Sequence, residues 1–265
     1  MDLIEDITVI VQGPVTELSL KSAAHYSEDY HVIVSCWDDG DERLLEELSA
    51  LANKRNNIKL IIKPLPSREN LVGCDAKSTF FWAVSGMNNA LQIVETDYVV
   101  RTRSDEYFET LEPLINTCAG IPANNDKFVC GNIFVKKWPK HENTAQLDIL
   151  SPNHIGDHIY IAKTHFLKNA FTNLFEIYTG LMELQDWARQ GPFCAEQILA
   201  HAYYFSKEVP SHEWIYFDTF TQHFHVINID KLGDYVVRWG HRDQIWFSDF
   251  INPHGVSEMS DMLQE

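Results

Sequence analysis

The residues with the clearest chemical potential stand at 98–107, where a short apolar segment runs directly into charged side chains. Arg101 and Arg103 alternate with small polar residues, and Asp105 and Glu106 follow them. At the end of a buried strand, the Asp105 carboxylate could hold Mg²⁺ or Mn²⁺ on a bound diphosphate, because hard cations prefer oxygen ligands. The alternative is structural: Asp105 caps a turn, and both arginines form surface ion pairs.

A second candidate is Glu196, which follows a Gly-Pro pair at 191–192 and precedes an apolar-periodic segment. This pattern predicts a helix with Glu196 in its first turn, where the carboxylate faces the positive end of the helix dipole. An acid in the first turn is also ordinary helix chemistry, so the position alone leaves its role open.

The elements that must position these residues alternate between strands and helices in the first 110 residues. Continuous β-branched runs predict strands at 7–11, 31–37, 58–62 and 98–103. Helical spacing of apolar residues predicts helices from about 16, at 42–52 and at 75–94. The alternation predicts an α/β fold, a mostly parallel sheet flanked by helices, with an aromatic-rich C-terminal portion. Ligands of such sheets bind at the carboxyl ends of the strands.

Two common nucleotide cradles are absent from the sequence. No GxGxxG follows the first predicted strand, and no GxxxxGK[ST] occurs anywhere. The predicted sheet would therefore have to bind a nucleotide by other means, such as a metal ion and the loop after the first strand.

Composition excludes several classes of protein. The 265 residues include 21 Lys and Arg against 38 Asp and Glu, a net charge of −17. This balance disfavours binding to nucleic acid or to an anionic membrane surface. The sequence contains neither a secretory signal nor an apolar run of roughly 20 residues. Five cysteines without a CxxC pair favour a reducing compartment. Together these features predict a cytoplasmic protein without a transmembrane segment.

Several motifs stand in a recognisable order, and their joint pattern is more specific than any one of them. They are Asp6–Val15, Ser35–Trp37, Ser85–Met87, Tyr98–Asp105, Gly156–His158 and Ala195–Gln197. In this pattern the chain resembles the WavE lipopolysaccharide-synthesis family over roughly residues 6 to 200. The resemblance implies a GT-A-like, Rossmann-like glycosyltransferase domain spanning 1–265, with a nucleotide-sugar-binding half at 1–110 and an acceptor-binding half at 111–265.

The resemblance also implies a donor site. Asp105 occupies the acidic-motif position that would bind Mn²⁺ or Mg²⁺ on the donor diphosphate. Two departures stand out: Lys77-Ser78 replaces an expected Arg-Gln pair, and Arg-Ser-Asp-Glu replaces Asp-x-Asp. The other implied contacts to the nucleotide sugar are Gln12, Gly13, Pro14, Asp38, Arg101 and Arg103.

Catalytic and acceptor roles follow from the same resemblance. Glu196 is the first candidate for the general base and Asp157 is its rival, although Asp157 and His158 could equally stabilise a turn. A late histidine often completes the metal shell of such folds. We assign it to His225, which shares a predicted strand face with His223, and keep His223 and His241 as alternatives. Apart from the resemblance, Arg238 and Arg242 flank the aromatic C-terminal region, and such an arginine pair in an acidic protein could clamp the diphosphate.

The predicted function is transfer of a sugar from a nucleotide-sugar donor to a glycan acceptor in bacterial surface polysaccharide (lipopolysaccharide or capsule) synthesis. The acceptor could be lipid-linked, which would bring the protein to the cytoplasmic face of the inner membrane. Two alternatives are a non-catalytic sugar- or partner-binding module and a nucleotidyltransferase. The nucleotidyltransferase is disfavoured because the loop at 12–16 has one glycine and no basic residue.

Overall fold

A computed structural model gives the structure of the chain. It describes residues 6–38, 41–65, 75–122, 126–133, 135, 153, 155–182, 195–214, 216–237 and 240–241. Within these ranges, no helix combines the length and the apolarity needed to cross a bilayer.

A seven-stranded sheet forms the centre of the fold. Its strands are β1 (Ile7–Gln12), β2 (His31–Trp37), β3 (Ile58–Lys63), β4 (Tyr98–Arg103), β6 (Phe128–Gly131), β7 (Ile159–Lys163) and β8 (Phe224–Ile227). They lie in the order β3-β2-β1-β4-β7-β6-β8. Every neighbouring pair is parallel except those made by β7, which runs antiparallel to β4 and to β6.

A second, three-stranded sheet continues from the end of β4. Its strands are β5 (Tyr107–Phe108), β9 (Tyr235–Val237) and β10 (Gly240–His241), in the order β10-β9-β5. The Tyr26 hydroxyl donates to the carbonyl of Phe108 at 3.1 Å and accepts from its amide at 3.0 Å. Both backbone groups of Phe108 are therefore satisfied at the point where the chain passes from one sheet to the other.

Helices cover both faces of the main sheet. Alternate residues of β1 face opposite sides, so Ile10 packs in one core cluster while Val9 and Val11 pack in the other. The helices are α1 (Glu17–Tyr26), α2 (Glu42–Lys54), α3 (Asp75–Leu91), α4 (Glu112–Ala119), α5 (Thr164–Met182), α6 (Ala195–Ser206) and α7 (Phe217–His223). The first cluster includes residues of α3, α5 and α6, and the second includes residues of α1, α2 and α4.

The predicted fold class is confirmed. The four predicted strands form with ends that shift by at most one residue. β1, β2 and β4 are buried almost throughout, as in the interior of a parallel sheet, whereas β3 lies at the edge of the sheet with only Ile58 buried. The prediction for His223 is wrong: it ends α7, and the strand begins only at Phe224. His223 and His225 therefore do not share one strand face.

The aromatic C-terminal portion contributes a packed cluster to the core. The ring of Phe224 lies 5.0 Å from those of Tyr204 and Phe220 and 5.5 Å from that of Tyr203, and all four side chains are buried. Phe128 of β6 joins this cluster at 5.3 Å from Tyr203. These contacts fix α6 and α7 against the sheet.

Candidate functional site

The candidate site lies at the carboxyl edge of the main sheet, where β1 and β4 end and the antiparallel β7 begins. Gln12 pairs with Arg103 across β1 and β4, and Thr102 pairs with Ile159 across β4 and β7. The residues that follow Arg103 therefore meet Asp157 and His158, which precede β7. The strand directions bring together two segments about 50 residues apart in the chain.

Arg103 and Asp105 form a two-pronged ion pair. The Nε and Nη2 atoms of Arg103 donate to the two oxygens of Asp105, each at 2.8 Å. Both side chains keep about a quarter of their surface exposed, at 24% and 25%. Burial of the Asp105 carboxyl opposes its ionisation, but the hydrogen bonds and charge of Arg103 outweigh burial and lower its pKa. Asp105 is therefore ionised at neutral pH and accessible from solvent.

Glu106, His158 and Asp157 form a chain of polar contacts beside this pair. The Nδ1 atom of His158 lies against Oε1 of Glu106 in a short contact, and its Nε2 lies 3.7 Å from Oδ1 of Asp157. Glu106 is fully buried, and its Oε2 has no hydrogen-bond partner among the described residues. Burial opposes a charge on His158, but the Glu106 carboxylate outweighs it and raises the pKa of His158.

Arg101 ties three strands together beneath the site. Its guanidinium donates to Oε1 of Gln12 at 2.9 Å and to the carbonyls of Asp157 and His158, the latter at 3.4 Å. The side chain is buried, with 4% exposed. The alternative of a surface ion pair is therefore wrong for Arg101, whereas the ion-pair expectation holds for Arg103 with Asp105.

The loop after β1 approaches the loop after β4 closely. Gly13 has φ +140°, and a Cβ atom there would lie 2.4 Å from Oγ of Ser104. The amide of Ser104 donates to the carbonyl of Gln12 at 3.0 Å, and the hydroxyl of Thr16 donates to the carbonyl of Ser104 at 2.6 Å. Only glycine fits here for two reasons. Any other residue would be strained at this positive φ, and its Cβ atom would clash with Ser104.

The other predicted donor contacts differ in exposure. Gln12 is buried, and its side chain packs against Gly86, where an added Cβ would lie 2.9 Å from Nε2. Pro14 and Asp38 are exposed at the rim of the same edge. Oδ1 of Asp38 accepts from the amide of Leu65 at 3.3 Å, which orients its carboxylate after β2. The rim residues are therefore open to a ligand, whereas the Gln12 carboxamide holds Arg101.

A divalent cation fits Asp105 on two observations. The carboxylate is ionised beside Arg103, as a metal ligand must be, and a quarter of it is open to solvent. The described residues contain no group of three or more His, Cys, Asp or Glu side chains arranged for a metal ion. One or two carboxylates completed by substrate phosphates are nevertheless the usual setting for Mg²⁺.

The candidate histidines lie at different places. His225 pairs with Val129, which is level with Val100 through β7, so it lies three strands or about 14 Å across the sheet from β4. His223 precedes β8 at the opposite edge, where burial and two nearby lysines lower its pKa to about 4. The structure does not bring His223 or His225 to Asp105.

His241 is nearer to the candidate site by its backbone. It pairs with Val236, which in turn pairs with Tyr107, the residue after Glu106. The backbone register therefore places His241 two strands from the continuation of β4. Arg238 and Arg242 lie outside the described residues, as do the side chains of Lys77 and Ser78.

Glu196 occupies the first turn of α6, as the sequence predicts. Lys207, just after α6, donates to the carbonyl of Asp126, which precedes β6 at the amino edge of the sheet. Tyr203 and Tyr204 near the end of α6 pack against Phe224 of β8. The 12 residues of α6 place its first turn about 18 Å from its last along the helix axis. The role of Glu196 as a general base stays a prediction.

Sequence reasoning missed the part played by Glu106. The sequence places Glu106 only beside Asp105, whereas in the structure it is the buried partner of His158. One signal was present: Tyr107-Phe108 continues the strand pattern, and Glu106 precedes it by one residue. Alternation along that segment would have turned Glu106 to the same side as the buried Phe108.

Comparisons with known proteins give a limited result. No family model matches the chain, and no curated protein matches it either. The WavE resemblance therefore stays a prediction. Among solved structures, the chain is similar to the galactosyltransferase LgtC in complex with donor and acceptor sugar analogues. The TM-score is 0.45 and the identity 14%, over 74% of this chain and 70% of that chain. At this level the likeness concerns only the path of the chain.

Proposed function

We propose that the chain is a GT-A-type glycosyltransferase that moves a sugar from a nucleotide-sugar donor to a glycan acceptor. The observation that carries the proposal is the pairing of ionised Asp105 with Arg103 beside Glu106, His158 and Asp157. The cluster stands at the carboxyl edge of a mostly parallel sheet, where α/β proteins bind their ligands. With the WavE resemblance, we assign the reaction to surface polysaccharide synthesis in the cytoplasm, with a lipid-linked acceptor.

Donor binding in this proposal uses opposite charges side by side. Asp105 would hold Mn²⁺ or Mg²⁺, which when bound draws charge from the diphosphate leaving group. Arg103 keeps N–H donors on the same edge and adds a fixed positive charge for the phosphate oxygens. The nucleotide is bordered by the backbone of Gly13 and Pro14 and by the side chain of Asp38. The buried side chains of Gln12 and Arg101, which are hydrogen-bonded to each other, form the floor of the site.

The transfer step needs a base for the acceptor hydroxyl. The hydroxyl oxygen forms a bond to the anomeric carbon, the bond from that carbon to the diphosphate oxygen breaks, and a carboxylate takes the hydroxyl proton. Asp157 is supported by its contact with His158 in the cluster, and Glu196 by its place in the first turn of α6. Both remain candidates for this role.

The test is a panel of nucleotide sugars incubated with the protein and Mn²⁺, with release of nucleoside diphosphate followed by phosphorus NMR. We expect slow hydrolysis of one donor, because water can replace an absent acceptor. EDTA should abolish the hydrolysis. A binding module would retain a donor without hydrolysing it, and absence of both binding and hydrolysis across the panel would refute the proposal.

A further inference from the structure

A groove of about 760 Å³ lies on the helical layer, away from the candidate site. It is bordered by Gln92 just after α3, by the first half of α5 and by the end of α6. Gln92 precedes β4 and α5 follows the antiparallel β7, so the groove lies at the amino edge of the sheet. The six residues of β4 span about 20 Å from this edge to the carboxyl edge, where the candidate site lies. Its volume is within the range of small-ligand sites.

Neutral hydrogen-bonding groups dominate the polar part of the groove. Gln92, Asn169 and Asn173 each carry a primary amide, which offers two donors and an acceptor with two lone pairs. The hydroxyls of Thr172 and Ser206 border the same space. Such groups match a ligand whose hydroxyls both donate and accept at closely spaced positions.

An exposed aromatic ring borders the groove on the side of α6. Phe205 leaves 62% of its surface exposed, the largest exposed fraction among the large hydrophobic residues described. Trp214 also borders the groove, half-buried, and its indole N–H donates to the carbonyl of Val209 at 3.0 Å. Its ring stacks on His201 at 4.8 Å, so the indole is held in place. A flat apolar ligand face could pack on Phe205.

The charges bordering the groove argue against an anionic ligand. The ammonium of Lys168 donates to the carbonyl of Val94 at 2.8 Å, which turns it towards the protein. Glu208, exposed at the rim, would repel an anion. A ligand here is therefore best uncharged, rich in hydroxyls and partly apolar on one face.

We propose that this groove binds a neutral oligosaccharide at a site separate from the transfer site. Sugar hydroxyls bond to the amides of Gln92, Asn169 and Asn173, and the C–H face of a pyranose ring packs on Phe205. The inference goes beyond the proposed function, since binding here requires neither a donor nor a cation.

The experiment measures binding without nucleotide and in EDTA. A printed array of neutral oligosaccharides, covering glucan, galactan, mannan and rhamnan fragments of six units, identifies the strongest binder. Calorimetric titration of that fragment then compares variants. We expect Phe205→Ala and Asn169→Ala each to weaken affinity about tenfold. Matched controls are Tyr216→Ala, an exposed aromatic outside the groove, and Asn56→Ala, an exposed amide elsewhere.

Two results would overturn the inference. One is the absence of binding to every neutral fragment on the array. The other is binding that Phe205→Ala and Asn169→Ala leave within twofold of wild type, which would place the sugar elsewhere. Donor hydrolysis should be unchanged in both variants, so failure of the proposed function and failure of this one give different results.

Discussion

Arg103 and Asp105 keep each other charged in a partly buried setting. Removing the carboxylate from water costs free energy, and two hydrogen bonds from a guanidinium offset that cost. The same pair presents a negative oxygen and a positive nitrogen side by side at the sheet edge. A diphosphate with a cation has the complementary arrangement, so the pair suits that ligand better than a bare anion.

Asp105→Asn tests this role. We expect Mn²⁺-dependent donor hydrolysis to fall at least about 100-fold, because the amide is a poor ligand for a hard cation. The fold should persist, since an amide oxygen can still accept from Arg103. Asp29→Asn, an exposed acid remote from the sheet edge, is the matched control. Hydrolysis and circular dichroism are the measurements, and full activity of Asp105→Asn at limiting Mn²⁺ would remove the metal role.

The choice of base is tested by Asp157→Asn and Glu196→Gln. Loss of a general base should lower acceptor-dependent turnover about 10²–10⁴-fold with little change in donor affinity. Steady-state kinetics with donor and acceptor separate the two effects. The variant that lowers turnover and spares donor affinity identifies the base, and wild-type turnover in both would place it on another residue.

The Glu106–His158 pair gives a pH dependence whose sign follows from its charges. The folded pKa of His158 is raised above 6.5, so the pair's contribution to stability is complete below that pH. It is lost as pH rises through the folded pKa. His158→Gln should therefore cost about 1–3 kcal/mol at pH 6 and less at pH 9. Urea unfolding of both proteins in EDTA measures this, and a cost that grows with pH would contradict the assignment.

At the scale of single residues, the sequence shows which types are present but not all of their contacts. The Arg-Ser-Asp-Glu segment can be recognised from the sequence as a candidate site because it ends an apolar strand. The contact between Glu106 and His158 is not, because 52 residues separate them and it depends on the antiparallel direction of β7. No local pattern specifies that direction.

The turn from β1 to α1 is the element that closes the floor of the site. Thr16 caps α1 by accepting from the amide of Ser19 at 3.1 Å, and its hydroxyl donates to Ser104. Gly13 lets the chain pass Ser104 before that cap. The start of α1 is thereby fixed to the end of β4.

Gly13→Ala should destabilise the protein by about 2–3 kcal/mol, because it combines an unfavourable φ with a methyl group against Ser104. Gly120→Ala is the matched control, since Gly120 has φ −74° and its nearest atom to an added Cβ is 3.3 Å away. Thermal unfolding compares the two. Equal midpoints would show that the turn relaxes without cost.

Elements were predictable where one periodicity dominates. β1, β2 and β4 are continuous β-branched segments, and α2 repeats leucines at helical spacing. The alternation His223-Phe224-His225 predicts a strand, but Phe217, Phe220 and Phe224 also follow a helical spacing. The rings of these three residues pack together, and this packing favours a helix up to His223. Tertiary packing decided between two local patterns.

On the scale of the whole molecule, the reactivity of buried cysteine thiols measures how well the core excludes solvent. Cys36, Cys118 and Cys130 are buried, and burial raises the pKa of Cys118 and Cys130 to about 12. The reactive thiolate is thereby suppressed as well as shielded.

In a Cys74→Ser, Cys194→Ser background, we expect these three thiols to resist Ellman's reagent in the native protein and to react fully in urea. Release of the coloured thiolate, measured against urea concentration, should follow global unfolding. Rapid native labelling of any one of the three would instead reveal local opening of its layer.

The reversed direction of β7 also limits how this protein could be recombined. Because of this direction, Asp157 and His158 from the second half of the chain lie beside Glu106 from the first half. One ion-pair cluster is therefore built from two distant segments of the sequence. In a chimaera with a crossover between these segments, Glu106 would come from one parent protein, and the residues at 157 and 158 would come from the other. The charged side chains of the cluster would then not be complementary. Segments 98–106 and 155–163 must therefore be exchanged as one unit, and a library that respects this linkage should retain more folded members.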